Sequence, residues 1–167
     1  MTDFREVNKR IVRKSFPLPK IAETLQQMEG FTYASAVDMN MGYYHLTLDL
    51  HTREICSLIF PFGRYRYCRL PMGAACAPDV FQEKMNNLFN ELEFVKVYLD
   101  DLLVITDGSF DDHLEKLEVV LHRLREKGFQ LNAAKSKFCA LEIDYLGYTL
   151  TREGIMPQKK KVAAILA

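Results

Sequence analysis

Apolar positions along this chain recur with two different spacings, and each change of spacing marks a new element. Ile21 to Met28 has helical spacing, is led in by Pro17 and Pro19, and is closed by Gly30. Phe31 to Val37 is β-branched and aromatic and predicts a strand that ends at Asp38. Leu46, Leu48 and Leu50 alternate on one face of a second strand, His45 to Leu50. Glu54 to Phe60 and Tyr65 to Leu70 predict two more, joined by the turn Pro61-Phe62-Gly63. Pro78 opens a helix that keeps Phe81, Met85, Leu88, Phe89 and Leu92 on one face. Phe94 to Leu99 and Leu102 to Ile105 predict a hairpin with Asp100-Asp101 between its strands. Ser109 and Asp112 can cap a helix running to Lys127, with Leu114, Leu117, Leu121 and Leu124 inward and Gly128 as its stop. Short strands follow near Phe129 to Leu131 and Asp144 to Thr149, and Pro157 starts a final helix. This order predicts an α+β fold, an antiparallel sheet with helices packed on one face, in one domain spanning residues 1–167.

The 167 residues are 49% hydrophobic and 26% charged, enough for one sizeable core. Formal net charge is zero, 22 basic against 22 acidic residues, whereas most nucleic-acid-binding domains are clearly basic. The charge is segregated, however. Arg5, Lys9, Arg10, Arg13, Lys14 and Lys20 face only Asp3 and Glu6 in the first twenty residues, and Asp111, Asp112, Glu115, Glu118 and Glu126 make a later stretch acidic. Cys56, Cys68, Cys76 and Cys139 lack Cys-x-x-Cys spacing and sit among apolar residues, which predicts reduced, largely buried thiols and no zinc site. No apolar run approaches the roughly 20 residues that span a bilayer, so a soluble, intracellular chain with no membrane partner is expected.

Tyr98-Leu99-Asp100-Asp101 is the segment that asks for chemistry. Asp-Asp is a poor hairpin turn, since the favoured two-residue turns want Gly or Asn for positive φ. Adjacent carboxylates repel, and a divalent cation relieves that strain. Asp38 ends another apolar strand and can reach the same sheet edge. Three carboxylates on neighbouring strand ends make a hard-oxygen site suited to Mg²⁺ or Mn²⁺. Two such ions are the usual equipment of in-line phosphoryl transfer.

Asp38-Met39-Asn40-Met41-Gly42-Tyr43, then Leu70-Pro71-Met72-Gly73 with Ala77-Pro78 and Phe81-Gln82, then Tyr98-Leu99-Asp100-Asp101 resemble the successive catalytic motifs of reverse transcriptases. Leu102-Leu103-Val104-Ile105 after the acidic pair is similar to gypsy-type long-terminal-repeat retrotransposons. So are the opening Asp3-Phe4-Arg5-Glu6-Val7-Asn8, Phe16-Pro17-Leu18-Pro19-Lys20-Ile21, and the downstream His113, Lys135, Leu146-Gly147-Tyr148 and Gly154. The resemblance covers almost the whole chain in the right order.

That resemblance implies a polymerase palm with part of the fingers, and an RNA-directed DNA polymerase that transfers nucleotides from dNTPs to a primer 3′-hydroxyl on an RNA or DNA template. Asp38, Asp100 and Asp101 would hold two Mg²⁺ ions, with Mn²⁺ as a substitute, and Lys135 would protonate the leaving pyrophosphate. Met39, Met41, Gly42, Tyr43, Met72 and Gly73 would contact the nucleotide, Tyr43 crowding a ribose 2′-hydroxyl. Pro78, Phe81, Gln82, Tyr98, Leu146, Gly147 and Tyr148 would serve template and primer. The implied partners are a template–primer duplex, dNTPs and further polyprotein regions (thumb, ribonuclease H, integrase). The implied location is cytoplasmic virus-like particles, with room for a nuclear phase.

Many relatives carry Gln where His45 stands, Phe where Met72 stands, and Thr-Asn where Ala75-Cys76 stand, changes that spare the carboxylates. The family's upstream fingers and its thumb are expected outside the 167 residues. An inactive remnant of a decayed element, with weak nucleic-acid binding, is the alternative. A nucleotide cyclase, which also pairs carboxylates on an α+β sheet, has no place for Leu70 to Gln82.

Overall fold

Period-two and period-3.6 stretches of sequence become strands and helices in the computed structural model, which describes residues 2–158 apart from 27 and 29. In chain order these are α1 (Arg5–Asn8), α2 (Ile21–Gln26), β1 (Tyr33–Asp38), a 3₁₀ turn (Gly42–His45), α3 (Leu50–Ile55), β2 (Ser57–Phe60) and β3 (Gly63–Arg66). Then come α4 (Ala77–Phe89), β4 (Val95–Tyr98), β5 (Asp101–Thr106), α5 (Phe110–Glu126), β6 (Lys137–Ala140), β7 (Glu142–Tyr145), β8 (Tyr148–Thr151) and β9 (Gly154–Pro157).

The main sheet is antiparallel in the order β4-β5-β1-β6, and alternation gives it two working faces. Val37, Leu102 and Val104 point to one face and pack with Phe81, Met85 and Phe89 of α4 and Leu117, Val120 and Leu124 of α5. Ala34 and Leu103 point to the other, against Leu25 of α2 and Ile143, Tyr145 and Leu150 of the β7-β8-β9 sheet. Each fully buried Leu, Phe or Met on these faces contributes about 1.5–3 kcal/mol. The helices on one face are as expected; the small sheet and α2 cover the second.

Local competition explains where the elements differ from the sequence pattern. Residues 45–50 are not a strand: the Asp49 carboxylate accepts from Thr52 N at 3.0 Å, caps α3, and turns Leu50 out to 77% exposure. Only one bridge, Thr47 to Arg69, remains of that strand, and α3 absorbs Glu54 and Ile55. The segment before Leu70 likewise keeps only β3 as a strand, facing β2 across Pro61-Phe62. On α5 the inward residues are His113, Leu117, Val120 and Leu124, while Leu114 is exposed. Phe129 to Leu131 forms a single bridge to Met39, and the fourth strand of the sheet is β6 instead. Asp144 to Thr149 folds back on itself as a hairpin, with Leu146 and Gly147 both at positive φ between Tyr145 and Tyr148. Pro157 closes β9, and the helix expected beyond it lies outside the described residues. Of the four cysteines only Cys56 is buried, and Cys68 is exposed.

Candidate active site

The two strands at the centre of the sheet carry the acidic residues. Asp38 ends β1 and Asp101 begins β5, and the two are direct partners in the antiparallel register. Directly opposed residues have Cβ atoms roughly 5 Å apart, and alternation puts both on the face of Ala34 and Leu103. The hairpin turn is Leu99-Asp100, because Tyr98 pairs with Asp101; the acidic pair is therefore split between turn and strand, not placed together at the tip. Leu99 takes the positive φ, 53°, that the turn needs.

Partial burial beside the sheet, then the charges of Asp100 and Asp38, raise the Asp101 carboxyl above its ordinary range, although it remains open to solvent. Burial and then Asp100 raise the Tyr43 hydroxyl, and burial followed by Asp101 and Tyr98 raises that of Tyr145. Asp38, Asp100, Asp101, Tyr43 and Tyr145 thus share one negative field. Among the described residues no group of three His, Cys, Asp or Glu side chains is closed into a ready-made metal cluster. The donor chemistry nonetheless fits a hard divalent cation: two opposed carboxylates and a third on the adjoining turn.

Backbone contacts fix Asp38 on both sides. Its N–H donates to Ser136 Oγ at 3.0 Å, and its carbonyl accepts from Asn132 N at 2.9 Å. Lys135 lies on the turn between those two anchors, exposed. After Asp38, Met39 enters the core at 3% exposure, so its side chain is not free to meet a nucleotide as its place in the motif suggests. Met41 is left-handed (φ 53°) and 61% exposed. Gly42 is buried, with no room for a Cβ against the Phe81 ring, and the Tyr43 ring packs on Phe81 at 4.9 Å.

Phe81 and Gln82 are fully buried on α4 and support the site from below without reaching a surface where template could touch them. Gln82 Nε2 donates to Asn86 Oδ1 at 2.7 Å and Val97 O at 3.2 Å, while its Oε1 accepts from Leu99 N at 2.6 Å. The carboxamide therefore clamps the turn that carries Asp100. Pro78 sits half-buried in the first turn of α4, beside Asp79, whose carboxylate accepts from Arg13 and from Phe16 N. The Arg13 guanidinium holds the Asp79 carboxyl below its ordinary range.

Met72 and Gly73 stand exposed on the preceding loop, Gly73 at φ 104°. Asn8 braces that loop: its Nδ2 donates to Gly73 O at 2.9 Å and its Oδ1 accepts from Ala75 N at 2.8 Å. Tyr98 lies opposite Asp101, and Tyr145, beside the Leu146-Gly147 turn and Tyr148, reaches to 3.5 Å from the Asp101 carbonyl. The structure thus brings Asp38, Asp100, Asp101, Tyr43, Tyr98 and Leu146-Gly147-Tyr148 toward one end of the sheet. Asn8, quoted only as part of the opening motif, and Asn132, Ser136 and Tyr145, which motif reading passed over, are the supporting residues. A carboxamide or hydroxyl beside a turn is the only local sign of the first three.

Comparison with known proteins bears on this arrangement. Residues 1–150 match the family described as reverse transcriptase (RNA-dependent DNA polymerase). The chain is 36% identical over 166 residues to the retrovirus-related Pol polyprotein from transposon 412 of Drosophila melanogaster, covering 98% of this chain and 13% of that polyprotein. It is 28% identical over 165 residues to the Pol polyprotein from transposon gypsy of the same fly, covering 98% and 16%. The foamy viral protease-reverse transcriptase, solved in complex with an RNA/DNA hybrid, superimposes with a TM-score of 0.88 at 24% identity, over 98% of this chain and 22% of that one. The chain therefore spans less than a fifth of the length of these two polyproteins.

Proposed function

The chain belongs to the reverse transcriptase (RNA-dependent DNA polymerase) family, and from that premise we propose that it carries the catalytic palm of a gypsy-type retrotransposon polymerase. The reaction is attack of a primer 3′-hydroxyl oxygen on the α-phosphorus of a dNTP. The new phosphodiester bond forms as the α–β anhydride bond breaks, pyrophosphate leaves, and the hydroxyl proton passes to solvent or a neighbouring base. The single observation that carries this reading is the register of Asp38 against Asp101, with Asp100 on the adjoining turn.

Reverse transcriptases use divalent metal ions; Asp38, Asp100 and Asp101 would hold two, Mg²⁺ or Mn²⁺, which supply Lewis-acid activation of the hydroxyl and neutralise the pyrophosphate. The remaining work falls to the protein's own groups. The Met41–Gly42 turn offers its amides to the triphosphate, and Tyr43, fixed on Phe81, limits the space at the ribose 2′ position. Met72 and Gly73, braced by Asn8, flank the nascent base pair, where glycine lets the backbone approach closely. Lys135, on the turn anchored to Asp38, gives a proton to the departing pyrophosphate. The Leu146-Gly147-Tyr148 turn holds the primer end.

The foamy viral relative's RNA/DNA hybrid supports a template–primer duplex as partner, and the polyprotein relatives support further polyprotein regions working in cis. Cytoplasmic virus-like particles, with a nuclear phase, complete the proposal. Primer extension on an RNA template with Mg²⁺ tests it. Extension is expected from the unaltered palm, with upstream and downstream polyprotein sequence attached, and loss of at least about a hundredfold in Asp100→Asn. Undiminished synthesis by Asp100→Asn would sink the assignment.

A further inference from the structure

Both ring nitrogens of His45, on the 3₁₀ turn after the Asp38 motif, are engaged. Nδ1–H donates to the Gly42 carbonyl at 3.2 Å, and Nε2 accepts from the Gln130 N–H at 3.0 Å. Those two bonds dictate a neutral ring with its proton on Nδ1. The ring also packs on Phe129, centroids 5.1 Å apart, and the His45 carbonyl accepts from Arg69 Nη1 at 3.0 Å. Gln130 closes the loop from its other side, its carbonyl accepting from Asn40 N at 2.9 Å. Two residues on, Asn132 N donates to Asp38 O at 2.9 Å.

The segment after α5 is therefore laced to the whole stretch from Asp38 to His45, and His45 is the side chain that makes the far end of the lacing. Between those ends sits Met41, left-handed and 61% exposed, a backbone state that a non-glycine residue holds only where its surroundings over-determine it. Met41 lines a cavity of about 400 Å³ whose charged lining groups are Arg69 and Lys127, both cationic. That charge suits a polyphosphate.

We infer that His45 is a positioning residue: it holds the Met41–Gly42 turn in the geometry that receives the nucleotide's phosphates, through Gly42 O on one side and Gln130 N on the other. The inference rests on the polymerase reading for the identity of the ligand, but not for the existence of the link. Glutamine has a donor and an acceptor and can make the same two bonds without the ring contact. Phenylalanine keeps the ring contact and makes neither bond.

The test compares the full chain, with upstream and downstream polyprotein sequence attached, with its His45→Phe and His45→Gln variants. Backbone amide exchange is followed at Gln130, and binding of dTTP is titrated with primer–template present. His45→Phe is expected to speed exchange at Gln130 and to weaken dTTP binding, each by about tenfold, while amides in α4 and β5 keep their protection. His45→Gln should restore both to within about threefold of the unaltered chain. Unchanged Gln130 exchange in His45→Phe, or dTTP binding that ignores the loss of that protection, would overturn the inference. If the unaltered chain bound no dTTP, the polymerase reading would fail, and the exchange comparison would still decide whether His45 holds the turn.

Discussion

Replacing Gly42 by alanine puts a Cβ 2.8 Å from Cζ and 3.2 Å from Cε2 of the Phe81 ring. Phe81 is fully buried and is held by the rings of Tyr43 at 4.9 Å and Phe129 at 6.4 Å, so it has no free direction in which to retreat. Gly42 lies outside the left-handed region, and the cost is therefore steric alone. Overpacking of this kind costs about 1–3 kcal/mol. A middle value of about 2 kcal/mol lowers the folded-to-unfolded ratio roughly thirtyfold, and the melting temperature by about 4–8 °C for a chain of this size. Urea unfolding followed by circular dichroism measures it. A double-mutant cycle with Phe81→Leu isolates the contact, because the smaller side chain makes room for the methyl group. The pair should be more stable than the sum of the single changes by about 1 kcal/mol. A Gly42→Ala protein within about 0.5 kcal/mol of the unaltered chain, or a strictly additive cycle, would refute the reasoning.

Gln82→Leu leaves Leu99 N–H and Val97 C=O without the carboxamide that joins them, which costs about 2 kcal/mol. Because that clamp holds the turn carrying Asp100, primer extension should fall by about tenfold or more; full activity at equal folded fraction would show the clamp to be dispensable. His113 is fully buried, with Nε2 on Ser35 Oγ and Nδ1 on Thr106 Oγ1, each at 2.8 Å. Burial holds its pKa below the ordinary 6.5, Asp112 opposing and Lys116 reinforcing the shift. The unfolded chain thus takes up this proton first as pH falls, so the histidine's contribution is complete above pH 6.5 and is lost toward the lowered folded value. Urea stability measured between pH 7.5 and 5 should fall more steeply in the unaltered chain than in His113→Gln, and equal slopes would contradict this.

The long periodic segments were legible. β1, the helix α4 with its Phe81, Met85 and Phe89 stripe, the β4-β5 hairpin and the Ser109 cap of α5 all follow from spacing and local chemistry. Residues 45–56 were not, because the Asp49 cap overrides the leucine alternation, and a cap beats a pattern when the pattern's leucines gain little burial. The inward face of α5 is rotated from the leucine stripe because a polar residue, His113, takes a core place that only its partners on β1 and β5 make tolerable. β6 escaped notice because a bulge interrupts its pairing to β1 and half of it is exposed.

The three carboxylates were found by motif, yet the turn position of Leu99 and the partnership of Asp38 with Asp101 needed the register. The supporting bonds from Asn8 to Gly73 and from Asp38 to Ser136 cross 65 and 98 residues. No local pattern encodes contacts at that range.

Manganese binding, read by electron paramagnetic resonance with primer–template present, tests most directly whether Asp38 and Asp101, from separate strands, serve one cation site. A shared site takes up Mn²⁺ saturably in the unaltered chain, and its uptake should weaken at least about tenfold in Asp38→Asn and equally in Asp101→Asn. Relief of the repulsion between the two carboxylates should leave the stability of each variant equal or slightly raised. Mn²⁺ binding that survives either substitution unchanged would contradict it.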